Sequence, residues 1–403
     1  MHRLIVPTSF IFLLITQPLF ANSSKFSIGM GSNFNSKNIF NSHDGINPYN
    51  RINIDLKYKI KNFSSNIVYN LNKNGRFNYD NSYVSYSKGI ATFNIGRIDR
   101  VWSFSNKSSL ILSSNSRPIE AISAKITNKS YSDLLPSPIK WSIETFGGST
   151  KGSYSGKNSM IFGTRAIISP TERFSFELLH TAQWGGKNKK LNPSKIASIF
   201  IGESNEGENS EINKMAGFGV SYSIPINKNI YRIYGQAIGE DEAGNLPSCY
   251  SWLAGTEFSL KRLEKPTTLT IEIVDTRITP SENNHCGPNT MYNNSSYDYI
   301  NYDTVLGVPI DSEGTSLEIF GQSNINKYLN IKYSMMLLTI NDKDYSDHRL
   351  SSKRSTGSIK SLEIIWKRNK LNISGSISYQ DLILDKSDIR KGAIFGLKSY
   401  INF

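Results

Sequence analysis

From Arg51 to Ile60 the chain alternates without a break: Ile52, Ile54, Leu56, Tyr58 and Ile60 share one face, and Arg51, Asn53, Asp55, Lys57 and Lys59 share the other. Strict period two marks a strand whose faces meet different surroundings, here one apolar and one charged. Leu371, Ile373, Gly375, Ile377 and Tyr379 against Asn372, Ser374, Ser376, Ser378 and Gln380 repeat the arrangement. At the C-terminus Ala393, Phe395, Leu397, Ser399, Ile401 and Phe403 again line up, ending on an aromatic ring. A strand with one face in lipid and one in a lumen, closing against the first strand, accounts for that ending. An edge strand of a soluble protein would alternate in the same way.

Reading the alternation along the whole chain predicts strands near 25–34, 49–60, 63–72, 81–88, 90–97, 119–126, 139–146, 157–168, 171–182, 212–223, 228–238, 250–260, 266–276, 315–323, 328–340, 356–367, 371–383 and 391–403, eighteen in all. Tight links at Lys61-Asn62, Lys88-Gly89, Ser169-Pro170, Asn227, Asn324 to Lys327 and Arg368 to Lys370 alternate with long ones at 98–118, 183–211, 239–249, 277–314, 341–355 and 384–390. Transmembrane barrels alternate short periplasmic turns with long extracellular loops in this manner. Only 127–138 is long on the short side. A nineteenth strand at Tyr297 to Gly307 would point the last strand the wrong way, so that segment is assigned to the 277–314 loop. The fold class expected is all-β: a transmembrane antiparallel barrel, its lumen plugged by loops, with both termini periplasmic.

Residues 1–21 read as a cleaved signal peptide, with His2 and Arg3 ahead of the apolar stretch Phe10 to Ile15 and Ala21 at the cleavage position. Beyond them no run approaches the roughly 18 apolar residues of a membrane helix, so insertion must be by strands. No Pro/Ser linker or charge block divides residues 22–403, which form one domain directed to the outer membrane of a Gram-negative cell. The composition, 38% hydrophobic and 11% aromatic with 29 Gly, suits strands and turns and not a helical membrane protein. No cysteine near the cleavage site offers a lipid anchor. Cys249 and Cys286 both fall on the extracellular side, where a disulfide joining two loops is geometrically feasible and two unpaired thiols equally so.

Distinctive residues cluster in and beside the long loops. The first block is Gly96-Arg97-Ile98-Asp99-Arg100-Val101-Trp102 with Ser109-Leu110-Ile111 and Ser116-Arg117-Pro118; the second is Gln183-Trp184-Gly185-Gly186. The third is Tyr234-Gly235-Gln236 leading into Gly239-Glu240-Asp241-Glu242-Ala243-Gly244 and Leu246-Pro247-Ser248; the fourth is Leu253-Ala254-Gly255, followed by Glu272 and Asp275-Thr276-Arg277. In this order and spacing the chain resembles the capsule-assembly Wzi family of outer-membrane proteins, over roughly Arg51 to Phe403. The resemblance implies an eighteen-stranded barrel, a lumen blocked by loops, and lectin-like retention of capsular polysaccharide at the cell surface. Two departures limit the transfer. Trp102 is followed by Ser103-Phe104-Ser105 where the family has a Gly-Pro-Gly turn, and the Asn-, Ser- and Gly-rich residues after Asn22 show no helical period for the family's N-terminal helical bundle.

Holding a polysaccharide requires flat aromatic faces for sugar rings and planar amides, carboxylates and guanidinium groups for hydroxyls and uronates. The candidates are Arg100, Trp102, Arg117, Gln183, Trp184, Gln236, Glu240, Asp241 and Glu242. Charges inside a barrel also pair with one another simply because unpaired buried charge is costly, which is the alternative for Arg100 and Arg117 and the reading for Asp99, Glu272 and Asp275 as lumen charges. Trp184 could equally be an interfacial girdle residue. The carboxylates of 240–242 lack a full Ca²⁺ ligand set, and no metal or cofactor is expected.

Formal charge is +13, and losing Arg3 with the leader leaves 45 basic against 33 acidic residues. An excess of this sign steers acidic capsular polysaccharide or lipopolysaccharide toward the surface, while export removes nucleic acid as a partner. His43, His180, His285 and His348, the histidines after the leader, sit in no catalytic motif, so a non-catalytic monomer embedded in outer-membrane lipid is expected. The alternative is a substrate-specific eighteen-stranded porin for small anionic solutes, which topology alone does not separate from it.

Overall fold

The computed structural model describes residues 23–33, 40, 51–72, 77–128, 139–152, 158–185, 212–243, 246–260, 267–280, 286–294, 297–387 and 389–403. Its main sheet contains nineteen segments, one of them the two-residue spur Phe77–Asn78, so eighteen antiparallel strands form the wall. The wall strands are Ser23–Asn33, Arg51–Ile60, Phe63–Asn72, Tyr83–Lys88, Ala91–Arg97, Glu120–Thr127, Lys140–Thr150, Ser159–Ser169, Phe174–Trp184, Asn213–Ile226, Asn229–Ala243, Leu246–Leu260, Thr267–Asp275, Thr315–Asn324, Leu329–Ile340, Ser355–Arg368, Leu371–Asp381 and Gly392–Asn402. Each pairs with its sequence neighbours, and the first closes on the last with Ile28 opposite Ile401 and Met30 opposite Ser399. At the seam the Phe403 amide donates to Phe26 O at 2.8 Å, and the two rings lie 5.3 Å apart.

All eighteen strands fall where alternation places them, because every wall residue faces either lipid or lumen. Ile122, Ile143, Leu178, Ile233, Trp252, Ile273, Leu337 and Leu397 are exposed on the outer surface, although water would reject so many apolar side chains. Opposite them the inward face carries polar pairs: Asn53 donates to Asn70 at 2.7 Å, and at mid-strand Ser334 bonds Ser361 at 2.7 Å.

Near the long-loop end the lumen changes character. Phe146, Ile161, Leu179, Met215, Ile238, Leu253, Val274, Met336 and Ile340 point inward and are buried against Leu110, Ile111, Met291, Tyr292, Tyr299, Leu306 and Ile310 from two inserted loops, making one apolar core inside the barrel. The loops are residues 98–119 and 276–314. Among its described residues the second carries a hairpin of two-residue strands, Ile300–Asn301 with Thr304–Val305, that pairs apart from the main sheet, so the Tyr297 to Gly307 segment belongs to the plug and not to the wall.

One boundary differs from the reading of the sequence. Residues 239–249 are not a long loop: strands Asn229–Ala243 and Leu246–Leu260 run on as a hairpin, with Asp241 opposite Ser248 and Glu242 opposite Pro247. Projecting past the lipid, this hairpin has no need to alternate, so its glycines and acids look like a loop. Most of the 183–211 segment, the 129–138 link and residues 1–22 lie outside the described residues.

Candidate functional site

The plug is held by a polar framework, and the sequence-derived candidates divide between that framework and the rim. In loop 98–119 the Trp102 indole is 2% exposed and packs edge-on against Phe146, ring centroids 5.4 Å apart. Wall residue Gly163 makes room for both rings, since a Cβ there would lie 2.4 Å from Phe146 Cε1 and 3.0 Å from Trp102 Cη2. Trp102 therefore offers no face to a sugar. Gln236 clamps the same loop from the wall, its Nε2 donating to Trp102 O at 2.6 Å and its Oε1 accepting the Leu110 amide at 2.8 Å. Arg100 stacks over the Phe146 ring at 4.5 Å, with Nε 3.3 Å from Glu144 Oε1. Burial pulls the guanidinium pKa down, against the opposing pull of Glu144.

Arg117 returns the loop to the wall with a bidentate pair to Asp80, Nε to Oδ2 at 2.9 Å and NH2 to Oδ1 at 3.1 Å, while Tyr302 covers its other face at 4.0 Å. Asp99 accepts from Asn81 Nδ2 at 2.7 Å. Gln183 and Glu240 fasten the second loop. Gln183 Nε2 donates to Asp298 O at 3.4 Å, and Glu240 Oε2 accepts the Tyr292 amide at 2.9 Å. Glu272 accepts the Tyr234 hydroxyl at 2.8 Å inside the lumen. The disulfide Cys249–Cys286 ties this loop to the top of a wall strand, Cα atoms 5.3 Å apart.

Several of these anchors were absent from the sequence reading. Arg165 Nε donates to the fully buried Glu177 at 2.8 Å and its NH2 to Ser103 O at 3.0 Å. Arg232 reaches Phe104 O at 2.6 Å and Glu257 at 3.1 Å, and Lys107 at the loop tip pairs with Glu318. Glu177, Glu257 and Glu318 stand at inward positions of alternating strands. That parity is the signal that could have found them.

The outward rim has a different chemistry. Asp275, expected as a lumen charge, stands here because it ends its strand: its carboxylate binds Arg277 through Nε at 3.0 Å and NH2 at 2.7 Å. Arg277 is 45% exposed; its NH1 lies 3.7 Å from Asp342, which Arg354, 54% exposed, meets at 3.2 Å. The bonds to Asp275 raise the Arg277 pKa, keeping it charged. Asp385 receives the Ser352 amide at 2.8 Å, which, with the Ser352 hydroxyl, lowers its carboxyl pKa to about 2. Trp184, opposite Met160 on the outer face, packs on Ala182 and Ile212 at the top of its strand, where a girdle aromatic would sit. Asp241 and Glu242 lie in the projecting hairpin.

Among the described residues there is no group of three or more side chains suited to a metal ion. His180 faces outward beside Phe162, and His348 is buried with Nε2 3.0 Å from Ser312 O; His43 and His285 lie outside the described residues.

The sequence profile of capsule assembly protein Wzi matches residues 24–384. Among solved structures the chain is similar to Wzi of Escherichia coli, described as an outer-membrane carbohydrate-binding β-barrel involved in group 1 capsule assembly, with a TM-score of 0.76 at 18% identity over 98% of this chain and 87% of that one. The OprD barrel of Pseudomonas aeruginosa is more distant, with a TM-score of 0.53 at 10% identity over 95% and 94% of the two chains. An uncharacterized 55.8 kDa protein in the cps region of Klebsiella pneumoniae is 25% identical over 197 residues, 46% of this chain and 38% of its own length. The chain belongs to the capsule assembly protein Wzi family and is an eighteen-stranded outer-membrane barrel.

Proposed function

We propose that this barrel holds acidic surface polysaccharide non-covalently at its extracellular rim, in a lectin-like manner and without turnover. The observation that carries the reading is the apolar core filling the lumen directly beneath a rim of half-exposed guanidinium groups. A solute path needs continuous water, whereas a retention site needs only an outward face with fixed charge.

Arg277 and Arg354 are the anchors for uronate carboxylates, because each keeps donors beyond those committed to Asp275 and Asp342. Asp241 and Glu242 on the projecting hairpin accept sugar hydroxyls, and Trp184 supplies an aromatic edge. Arg100, Trp102, Arg117, Gln183, Gln236 and Glu240 act indirectly by keeping the plug seated. Carbohydrate binding by Escherichia coli Wzi, which shares the fold, supports this assignment.

The test is binding of the purified barrel to acidic capsular polysaccharide, to the same polymer with its carboxyl groups reduced, and to lipopolysaccharide polysaccharide. Saturable binding of the acidic polymer, lost on reduction and in the Arg277→Ala/Arg354→Ala double variant, is the result expected. Equal binding of the acidic and reduced polymers would overturn the rim assignment. A resemblance to OprD favours a porin reading on fold alone, and the filled lumen argues against it.

A further inference from the structure

The outer wall carries one feature that neither the plug nor the rim explains. Strand Ser355–Arg368 presents Leu362, Ile364 and Trp366 to lipid, and Lys360 is the next residue of that same face. Its cross-strand partners are Met335 and Tyr379, both exposed on the outer surface. Counting five residues down from the extracellular start of the strand at Ser355, with about 3.3 Å per residue and a tilt of roughly 40°, sets its Cα about 13 Å below that end. Trp366 lies another six residues toward the periplasm, so Lys360 occupies the outer-leaflet half of the apolar band.

A lysine on the lipid face is unfavourable unless its ammonium reaches polar surroundings or a counter-charge. Lys360 makes no side-chain hydrogen bond or ion pair among the described residues. Around it the lipid face turns polar: Ser358 stands opposite Asp381, Thr356 opposite Thr339, and Lys391 Nζ lies 2.8 Å from Asp381 Oδ1. The patch thus has two ammonium groups, one carboxylate and the hydroxyls of Ser358 and Tyr379, and it is open toward the outer leaflet.

We propose that this patch binds the phosphate of a phosphorylated glycolipid in the outer leaflet, with Lys360 as its principal cation. Charge complementarity selects that occupant: the carboxylate is already taken by Lys391, the remaining charge is positive, and compact ammonium groups suit phosphate oxygens. The surrounding Met335, Leu337, Leu362 and Tyr379 then lie against acyl chains. The contact would fix the barrel's depth and orientation in the leaflet, and it does not depend on how the rim treats polysaccharide.

The experiment uses the full barrel in nanodiscs containing lipid A with both phosphates or the same lipid after phosphate removal, and counts retained lipid by native mass spectrometry. The wild type should retain the phosphorylated form about tenfold better, Lys360→Met should lose that preference, and Lys360→Arg should keep it. Removing a lipid-facing charge does not oppose folding, and heat-modifiable mobility on gels confirms that each variant is a closed barrel. No preference in the wild type, or an undiminished preference in folded Lys360→Met, would overturn the proposal.

Discussion

Asp311 and Arg349 form a buried bidentate pair that joins loop 276–314 to the 341–354 loop at the top of the lumen: Arg349 Nε donates to Asp311 Oδ2 at 2.8 Å and NH2 bonds Oδ1. Arg349 also donates to Tyr292 O at 3.4 Å and to Asn293. Burial alone would raise the Asp311 carboxyl, but the adjacent Arg349 guanidinium holds it below the usual carboxylate range. Removing one member of a buried pair leaves an uncompensated charge, at a cost of about 3–5 kcal/mol. Arg349→Met should therefore release loop 276–314 from the barrel mouth, read as new protease cleavage within the loop while the wall stays folded.

The same pair sets an acid limit on the plug. A carboxyl whose folded pKa is depressed contributes stability that is fully present above its unfolded value, about 3.9, and is lost as pH falls through the folded value. Loop protection measured by proteolysis with an acid protease should be constant from neutral pH down to about 4 and fail below it. In Asp311→Asn it should be weak at every pH.

Cys249 and Cys286 close a segment with a sequence separation of 37. In the chain-entropy account that constraint is worth about 4 kcal/mol to the ordered loop. Reduction, or the Cys249→Ala/Cys286→Ala double variant, should speed amide exchange across 286–294 without altering the heat-modifiable mobility of the barrel.

Gln236 supports two backbone groups of loop 98–119 at once, Trp102 O and the Leu110 amide. Gln236→Leu strands the Leu110 amide in an apolar core, at about 1–3 kcal/mol, while Trp102 O keeps the Ser109 hydroxyl at 2.8 Å. The Leu110 amide should then lose most of its exchange protection, whereas amides in strand Phe63–Asn72 should not change.

Arg277 and Arg354 should behave in the opposite way from the plug residues. Alanine at either should weaken polysaccharide binding about tenfold and flatten its salt dependence with the lumen still closed. Trp102→Ala should instead disturb the closure first, because it empties a site packed against Phe146.

The wall was legible because lipid and lumen impose period two on every strand, so the pattern at Arg51–Ile60 and at Leu371–Asp381 could be read from a few residues each. Loop chemistry has no such local rule. Trp102 looked like a sugar platform because aromatic, Arg and Asp residues cluster around it, yet its surroundings are set by Phe146 and Gly163, brought in from other strands. Asp311 and Arg349 are 38 residues apart, and nothing near either marks the other. Asp275 could have been assigned to the rim, since it ends its strand and Arg277 follows two residues later.

The central claim is that the plug closes the lumen, and single-channel recording in a planar bilayer tests it most directly. The wild-type barrel should be silent across the voltage range, with Arg349→Met and the reduced protein showing flickering openings. Steady ohmic steps from the oxidised wild type would contradict the account and return this barrel to the porins.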